Sequence, residues 1–273
     1  MRKIFYSMMG AALLCLGLAS CMKIDNWDAP SAHFSGTIKD SYTDKPLVQD
    51  QNDWQIRIWE KSWTVAGKPA VASYQSLVTK NDGTYNNDKL FSGTYDMLPY
   101  GGPFWPCDTV KGVVLDKATV QDFTVTPFLQ IPDITATLVD SFLTITCKVK
   151  APIISKTINT ATGPVLTNLW RLKEVKAFIS LNNFCGNSNY INISQYNDLR
   201  VQNESSTNWG TAINVVKTWG FIKSDASDVN LYNVQMTGFP LRHKYTYNLR
   251  VGANVNDANN KYNYSSIIKV VVP

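Results

Sequence analysis

From Ala32 to the C-terminus the sequence consists of short runs in which apolar and polar residues alternate, rich in Val, Ile, Thr, Tyr and Phe and interrupted by Gly, Asn, Asp and Pro. Alternation at period 2 marks a strand with one face in a core. No long segment carries the 3.6-residue period of an amphipathic helix. The chain is therefore expected to be all-β. In the clearest run, WQIRIWE, Trp54, Ile56 and Ile58 share one face while Gln55, Arg57 and Trp59 share the other. A core accounts for the first set; Trp59 needs another reason.

The runs fall into two groups. The first holds HFSGTIKD, WQIRIWE, AVASYQSLVT, GTYDMLP, KGVVL and VQDFTVTPF, with turn chemistry at YTDKP, KNDG and PYGGP. The second holds ITATLVD, FLTITCKVK, LWRLKEVKAFIS, YINIS, AINVVKTW, LYNVQMTG, YTYNLRVGANV and SIIKVVV. Between the groups Pro127 and Pro132 bracket a short apolar stretch, a stiff connection rather than a flexible linker. The economical arrangement is two tandem β-sandwich domains, residues 32–128 and 133–273.

Residues 1–20 read differently. Arg2 and Lys3 precede an apolar run from Ile4 to Ala19, the layout of a secretory signal peptide, and the run is shorter than the roughly 20 residues a spanning helix needs. It ends in Leu18, Ala19, Ser20 and Cys21, which resemble the lipobox of bacterial lipoproteins. The resemblance implies that Cys21 is acylated, palmitate included, and becomes the mature N-terminus, with residues 21–31 as a linker. Lys23, Asp25 and Asp28 then loosely resemble the acidic export tags of Sus-like outer-membrane lipoproteins, which implies an outer-membrane address at the cell surface.

GTIKDSYTDKPL, Gly36 to Leu47, resembles the opening of the transthyretin-like fold found as the regulatory domain of carboxypeptidases. The likeness continues through Asp82, Gly83, Thr84 and Tyr85 and through Gly93, Thr94 and Tyr95, with Gly83 and Gly93 read as turn glycines at positive φ. LRHKYTYNLRVGANVND resembles the E to F corner of a fibronectin type III sandwich. There Leu241 lies six residues before Tyr247, and Leu249, Val251 and Ala253 follow at alternate positions. That resemblance gives Tyr247 a structural role, its ring buried and its hydroxyl returned to upstream backbone. With GPFWP, DFTVTPFLQIPD and YNYSSIIKVVVP, these features resemble a two-domain family of outer-membrane lipoproteins, a domain of unknown function, encoded beside SusC-like and SusD-like glycan importers. The partners it implies are the outer membrane, a SusC/SusD-like transporter pair and polysaccharide.

Catalytic chemistry is not legible. There is no G-x-S-x-G, H-E-x-x-H or phosphate-cradling loop, and the S-x-x-K spelled by Ser266 to Lys269 lies in a strand without S-D-N or K-T-G companions. Asp108, Asp116, Asp122, Asp133 and Asp140 read as solvated surface rather than as a glycosidase pair. His33 and His243 are far apart with no Cys, Asp or Glu at ligand spacing, so neither metal nor cofactor is expected. NDGTYNND has oxygens enough for calcium but lacks the spacing and closing glutamate of an EF-hand loop, and reads as a solvated hairpin. Beyond Cys21 remain Cys107, Cys147 and Cys185. Cys147 shares a core face with Leu143, Ile145 and Val149, and a bridge from Cys107 to Cys185 would have to cross domains. The formal charge is +5, two of it from Arg2 and Lys3, and without a basic run it argues against nucleic acid.

Eight Trp, thirteen Tyr and eleven Phe exceed what two modest sandwiches need for filling. Sugar rings stack on aromatic planes while Asn, Gln and Asp take the hydroxyls. The glycan-binding candidates are Trp59 and Trp63 beside Gln55, Arg57 and Lys61; Trp105 in GGPFWPCD; and Trp209 in NESSTNWG, where Asn203, Ser205 and Asn208 would take hydroxyls. Each has a plain alternative: Trp59 can pack on a domain or partner or be ordinary surface, and Trp105 can pin its own loop. Trp54 and Trp170 fit core strands and Trp219 a sandwich edge. The expectation is a non-catalytic lipoprotein accessory to a Sus-like glycan uptake system, binding glycan or supporting the transporter. A structural or adhesive surface protein is the alternative, and a glycan hydrolase accessory a third reading. The anchor is directly testable: Cys21→Ser should release the protein from membranes and abolish labelling by a palmitate analogue, and an unlabelled, soluble wild-type protein would refute acylation.

Overall fold

The computed structural model describes residues 29–51, 53–69, 73–192, 199–203 and 208–273; Cys21 with its leader, and Ser205, lie outside them. The fold is all-β and sandwich-like. In the first half, Ala32–Asp40 is central to one sheet. It runs antiparallel to Thr84–Leu90 and parallel to Ala118–Val120 and Phe123–Val125. The facing sheet is antiparallel, in the order Gln75–Val78, Gln55–Glu60, Gly93–Tyr100, Val110–Leu115. Phe34, Ile38, Ile56, Ile58, Tyr85 and Met97 fill the space between.

Alternation holds along Gln55–Glu60, where Ile56 and Ile58 are buried and Gln55, Arg57 and Trp59 are half-buried on the outer side. Glu60 falls on the inner side without cost, because its carboxylate accepts the backbone N–H groups of Ser62 at 2.7 Å and Trp63 at 3.0 Å. Gly83 has φ +82 and its α-carbon faces the Leu47 carbonyl, so a side chain there would meet both strain and backbone. Gly93 departs from the expectation of a positive φ. It opens the strand Gly93–Tyr100, and a Cβ there would lie 2.6 Å from Ser62 Oγ.

The second half pairs Ile134–Val139, Phe142–Lys150, Leu231–Pro240, Gly220–Ser224 and Asn214–Lys217 in one antiparallel sheet. The opposing sheet runs Arg200–Gln202, Leu172–Ser180, Tyr245–Val255, with both Tyr262–Tyr264 and Ile268–Val272 on the far side of the last. Asp140 and Ser141 join the first hairpin with φ of 48° and 67°, the positive pair that matches strand twist. Leu143, Ile145, Cys147 and Val149 all face the core. Tyr247 is buried beside the strand Ile268–Val272, and its hydroxyl accepts the Arg242 backbone N–H at 3.2 Å; Leu241 is buried next to it.

Several strands escape the alternation pattern. Ser155–Thr160 and Gly163–Asn168 form a hairpin whose residues are mostly exposed on both faces, so no burial pattern marks it. Tyr262–Tyr264 is buried at all three positions, and Gly220–Ser224 is a short strand that follows a two-residue turn after Asn214–Lys217. Tyr190 to Asn192, expected to begin a strand, are irregular, and the rest of YINIS lies outside the described residues.

Among the described residues no strand of one half pairs with a strand of the other. The halves are joined instead by side chains. Arg250, 2% exposed, donates from Nη1 to the carbonyls of Gln49 (2.8 Å) and Cys185 (3.0 Å) and from Nε to that of Ser265 (3.1 Å), while its guanidinium lies 4.1 Å over the Tyr264 ring. Around it, Ser188 donates its backbone N–H to Asp50, Lys261 reaches Asp53 at 3.3 Å, and Gln130 donates to Asp40 at 2.6 Å. Cys107, Cys147 and Cys185 are free thiols; Cys185 is buried in this junction. Arg250→Ala would strand three buried carbonyls, and at about 1 kcal/mol each the variant should lose roughly 2–4 kcal/mol in urea unfolding. A loss below about 0.5 kcal/mol would show that the junction does not depend on it.

Candidate functional site

The strand Gln55–Glu60 presents its outer side chains on a sheet face that the described residues leave partly open. Its neighbours fix who joins them: Gln55 is opposite Tyr100, Arg57 opposite Leu98 and Ser76, Trp59 opposite Asp96. Tyr74, immediately before the strand Gln75–Val78, folds onto the same face. Its ring meets Trp59 edge to face at 5.7 Å between centroids. The Arg57 guanidinium sits between two rings, 4.2 Å from the centroid of Tyr74 and 3.3 Å from that of Tyr100. Trp59, Tyr74, Arg57 and Tyr100 thus form a continuous row, with Tyr74 41% and Tyr100 44% exposed.

At the Tyr100 end the row runs into a hollow of about 340 Å³ lined by Asp53, Gln55, Val78 and Gly101. Asp53 is held there by Lys261; burial pushes its carboxyl above the usual range, against the pull of the lysine. At the other end Asp96 accepts the Gly112 N–H at 3.0 Å and lies 3.7 Å from Lys61. Chemically this is a strip of aromatic edges and faces interleaved with amide, hydroxyl and charged groups, open to solvent along its length.

The other tryptophans do not form such a surface. Trp209, expected as an exposed platform, is 8% exposed: its ring stacks on Tyr232 at 4.7 Å and 14°, and its indole N–H donates to the Trp170 carbonyl at 2.8 Å. Asn203 is buried too, donating its side-chain amide to the Leu172 carbonyl at 2.9 Å, whereas Asn208 is exposed. Trp105 is fully buried, in edge contact with Phe128 at 5.7 Å. Trp63 is half-buried against Phe91 at 5.3 Å. Trp54 is a core residue, but Trp170, expected in a core, is 39% exposed. Polar flanks in a loop carry no information on which way a ring turns. Tyr74 and Tyr100 were not singled out from the sequence. Alternation in GTYDMLPY puts Tyr100 outward once Tyr95 and Met97 are inward, but its meeting with Arg57 depends on strand register.

A second concavity, about 430 Å³, lies where the halves meet, lined by Asp40, Lys45, Asp82, Gln130, Asn263 and Ser266 among others. Its polar groups are largely engaged: Asp40 with Gln130, Asp82 with the Thr84 N–H and hydroxyl, and Asn263 Oδ1 with the Leu129 N–H at 3.0 Å. The guanidinium of Arg250 covers one face of Tyr264, the aromatic residue in its wall. It reads as a polar seam.

Residues 32–126, which include the strip, match a known family model. Its description is protein of unknown function (DUF3823), N-terminal domain. No curated protein matches the chain. Among solved structures, a protein from Bacteroides uniformis ATCC 8492 provisionally described as a carbohydrate binding protein aligns at TM-score 0.65 and 20% identity, over 89% of this chain and 100% of that one. DUF3823 family proteins from Bacteroides uniformis ATCC 8492 and Parabacteroides merdae ATCC 43184 align at TM-scores of 0.58 and 0.57 with 18% and 16% identity, each over 89% of this chain and 100% of the other. At such identities the likeness establishes the fold.

The two kinds of tryptophan separate in a stability measurement. Trp209→Ala removes a stacked ring and a hydrogen bond from the core and should cost about 3–5 kcal/mol in urea unfolding. Trp59→Ala, on the DUF3823-matching half, should cost less than about 1 kcal/mol. Equal losses would contradict the placement of Trp59 on an open face.

Proposed function

We propose that this chain is a non-catalytic, surface-anchored lipoprotein that binds glycan along the outer face of its first sandwich. The observation that carries the reading is the row Trp59, Tyr74, Arg57 and Tyr100, flanked by Gln55 and Asp96. Apolar sugar faces stack on such rings while hydroxyls find amide and carboxylate partners beside them. An open strip rather than a closed pocket suits a polymer that passes through the site. The strip's two carboxylates are each tied to a lysine, Asp96 to Lys61 and Asp53 to Lys261, and lie at opposite ends of the row rather than facing each other as an acid pair would. The carbohydrate-binding description of one structural relative supports the same reading.

In this proposal Cys21 anchors the protein to the outer membrane, the sandwiches stand at the cell surface, and the captured polysaccharide is passed to a SusC/SusD-like transporter pair. Calorimetry and affinity electrophoresis of the soluble mature protein against a broad glycan panel test the binding step. Uncleaved polymer should be retained, and Trp59→Ala should weaken retention by about 1–3 kcal/mol, the scale of one ring stacked on an aromatic side chain. Binding unchanged in Trp59→Ala and Tyr100→Ala would move the site elsewhere, and retention of no glycan would remove the function.

A further inference from the structure

The strip contains one charge, on Arg57, that the described residues do not neutralise. Arg57 has five donors in a planar fork. Among the described residues no carboxylate lies within 4 Å of it and none of its N–H groups has a hydrogen-bond acceptor; its Nε is buried and unpartnered. Both acids near the strip are occupied, Asp96 by Lys61 and the Gly112 N–H, Asp53 by Lys261. The two tyrosine rings that sandwich the guanidinium hold it in place without consuming its donors. A half-buried guanidinium, fixed and unpaired between exposed aromatics, is ready to receive a planar anion, and the match of that fork is a carboxylate taken in two parallel hydrogen bonds.

We propose that the polymer this face selects is a polyuronate, with a uronic acid ring stacked on Tyr100 or Tyr74 and its carboxylate bound by Arg57. This deepens the glycan-binding reading and rests on it. The carboxylate compensates the lone positive charge, and the pyranose face covers an aromatic plane beside it. A neutral glycan would use the rings and leave the guanidinium unpaired on a surface it partly covers, which costs binding.

Polygalacturonate and the same polymer with its carboxyls methyl-esterified share ring shape and differ in charge, which makes them the deciding pair. The full mature protein should bind the free acid at least about tenfold more tightly than the ester, and raising salt should narrow the gap. Arg57→Gln should abolish that preference, bringing the affinity for the free acid down to that for the ester measured on the same variant. Arg57→Lys, which keeps the charge and loses the fork, should fall between. Equal affinity of the wild type for acid and ester, a preference that survives in Arg57→Gln, or capture of sulfated but not carboxylated polymers would each overturn the polyuronate assignment. Retention of neutral glycans without polyuronate would overturn it and leave the glycan reading standing, whereas retention of nothing would remove both.

Discussion

Two adjacent aromatic side chains facing opposite ways tie this molecule together. Phe104 turns into the core of the first sandwich, edge-on to Trp54 at 5.4 Å, and Trp105 turns into the core of the second, against Phe128. Successive residues of an extended chain point to opposite sides, so a single peptide unit places one ring in each core. Neither ring can leave without opening a cavity, and the two sandwiches therefore share an edge rather than hang on a linker. Phe128, Leu129 and Ile131 follow the same logic, since the Pro-bracketed segment is itself packed into the second core.

The strip inherits its order from that shared edge. The strand Gln55–Glu60 is preceded by the segment that carries Gln49, Asp50 and Asp53, and each of these is pinned to the second sandwich through Arg250, Ser188 and Lys261. Arg57 and Trp59 begin only a few residues beyond those pins. The row of rings is thus built on a strand whose entry is fixed by the neighbouring sandwich, and ordering of long side chains is already settled before anything binds.

Much of this fold can be read from period 2 alone. WQIRIWE gives its inner and outer faces correctly, FLTITCKVK places Cys147 inside, and the spacing from Leu241 to Tyr247 marks a corner that does bury its tyrosine. The strip was half legible. Trp59 and Arg57 are visibly outward, but Tyr100 comes from a strand about forty residues on and Tyr74 from the end of another, and register is a property of pairing that no single run contains. Trp209 and Trp105 misled because their neighbours are polar or conformationally rigid. A ring on a loop turns toward whatever cavity the two sheets leave open, and for Trp209 that cavity has Tyr232 as its floor and a carbonyl for the indole N–H. The hairpin of Ser155–Thr160 and Gly163–Asn168 was silent because a ribbon wet on both sides has no face to declare.

Arg250 makes all three of its hydrogen bonds to main-chain carbonyls, that of Gln49 across the junction and those of Cys185 and Ser265 within its own half. It recognises the path of the backbone and is indifferent to the residues that follow that path. Gln49 could be exchanged for many side chains without Arg250 registering the change. At that one position the docking contact reads main-chain geometry, whereas the pins at Asp50 and Asp53 read side chains.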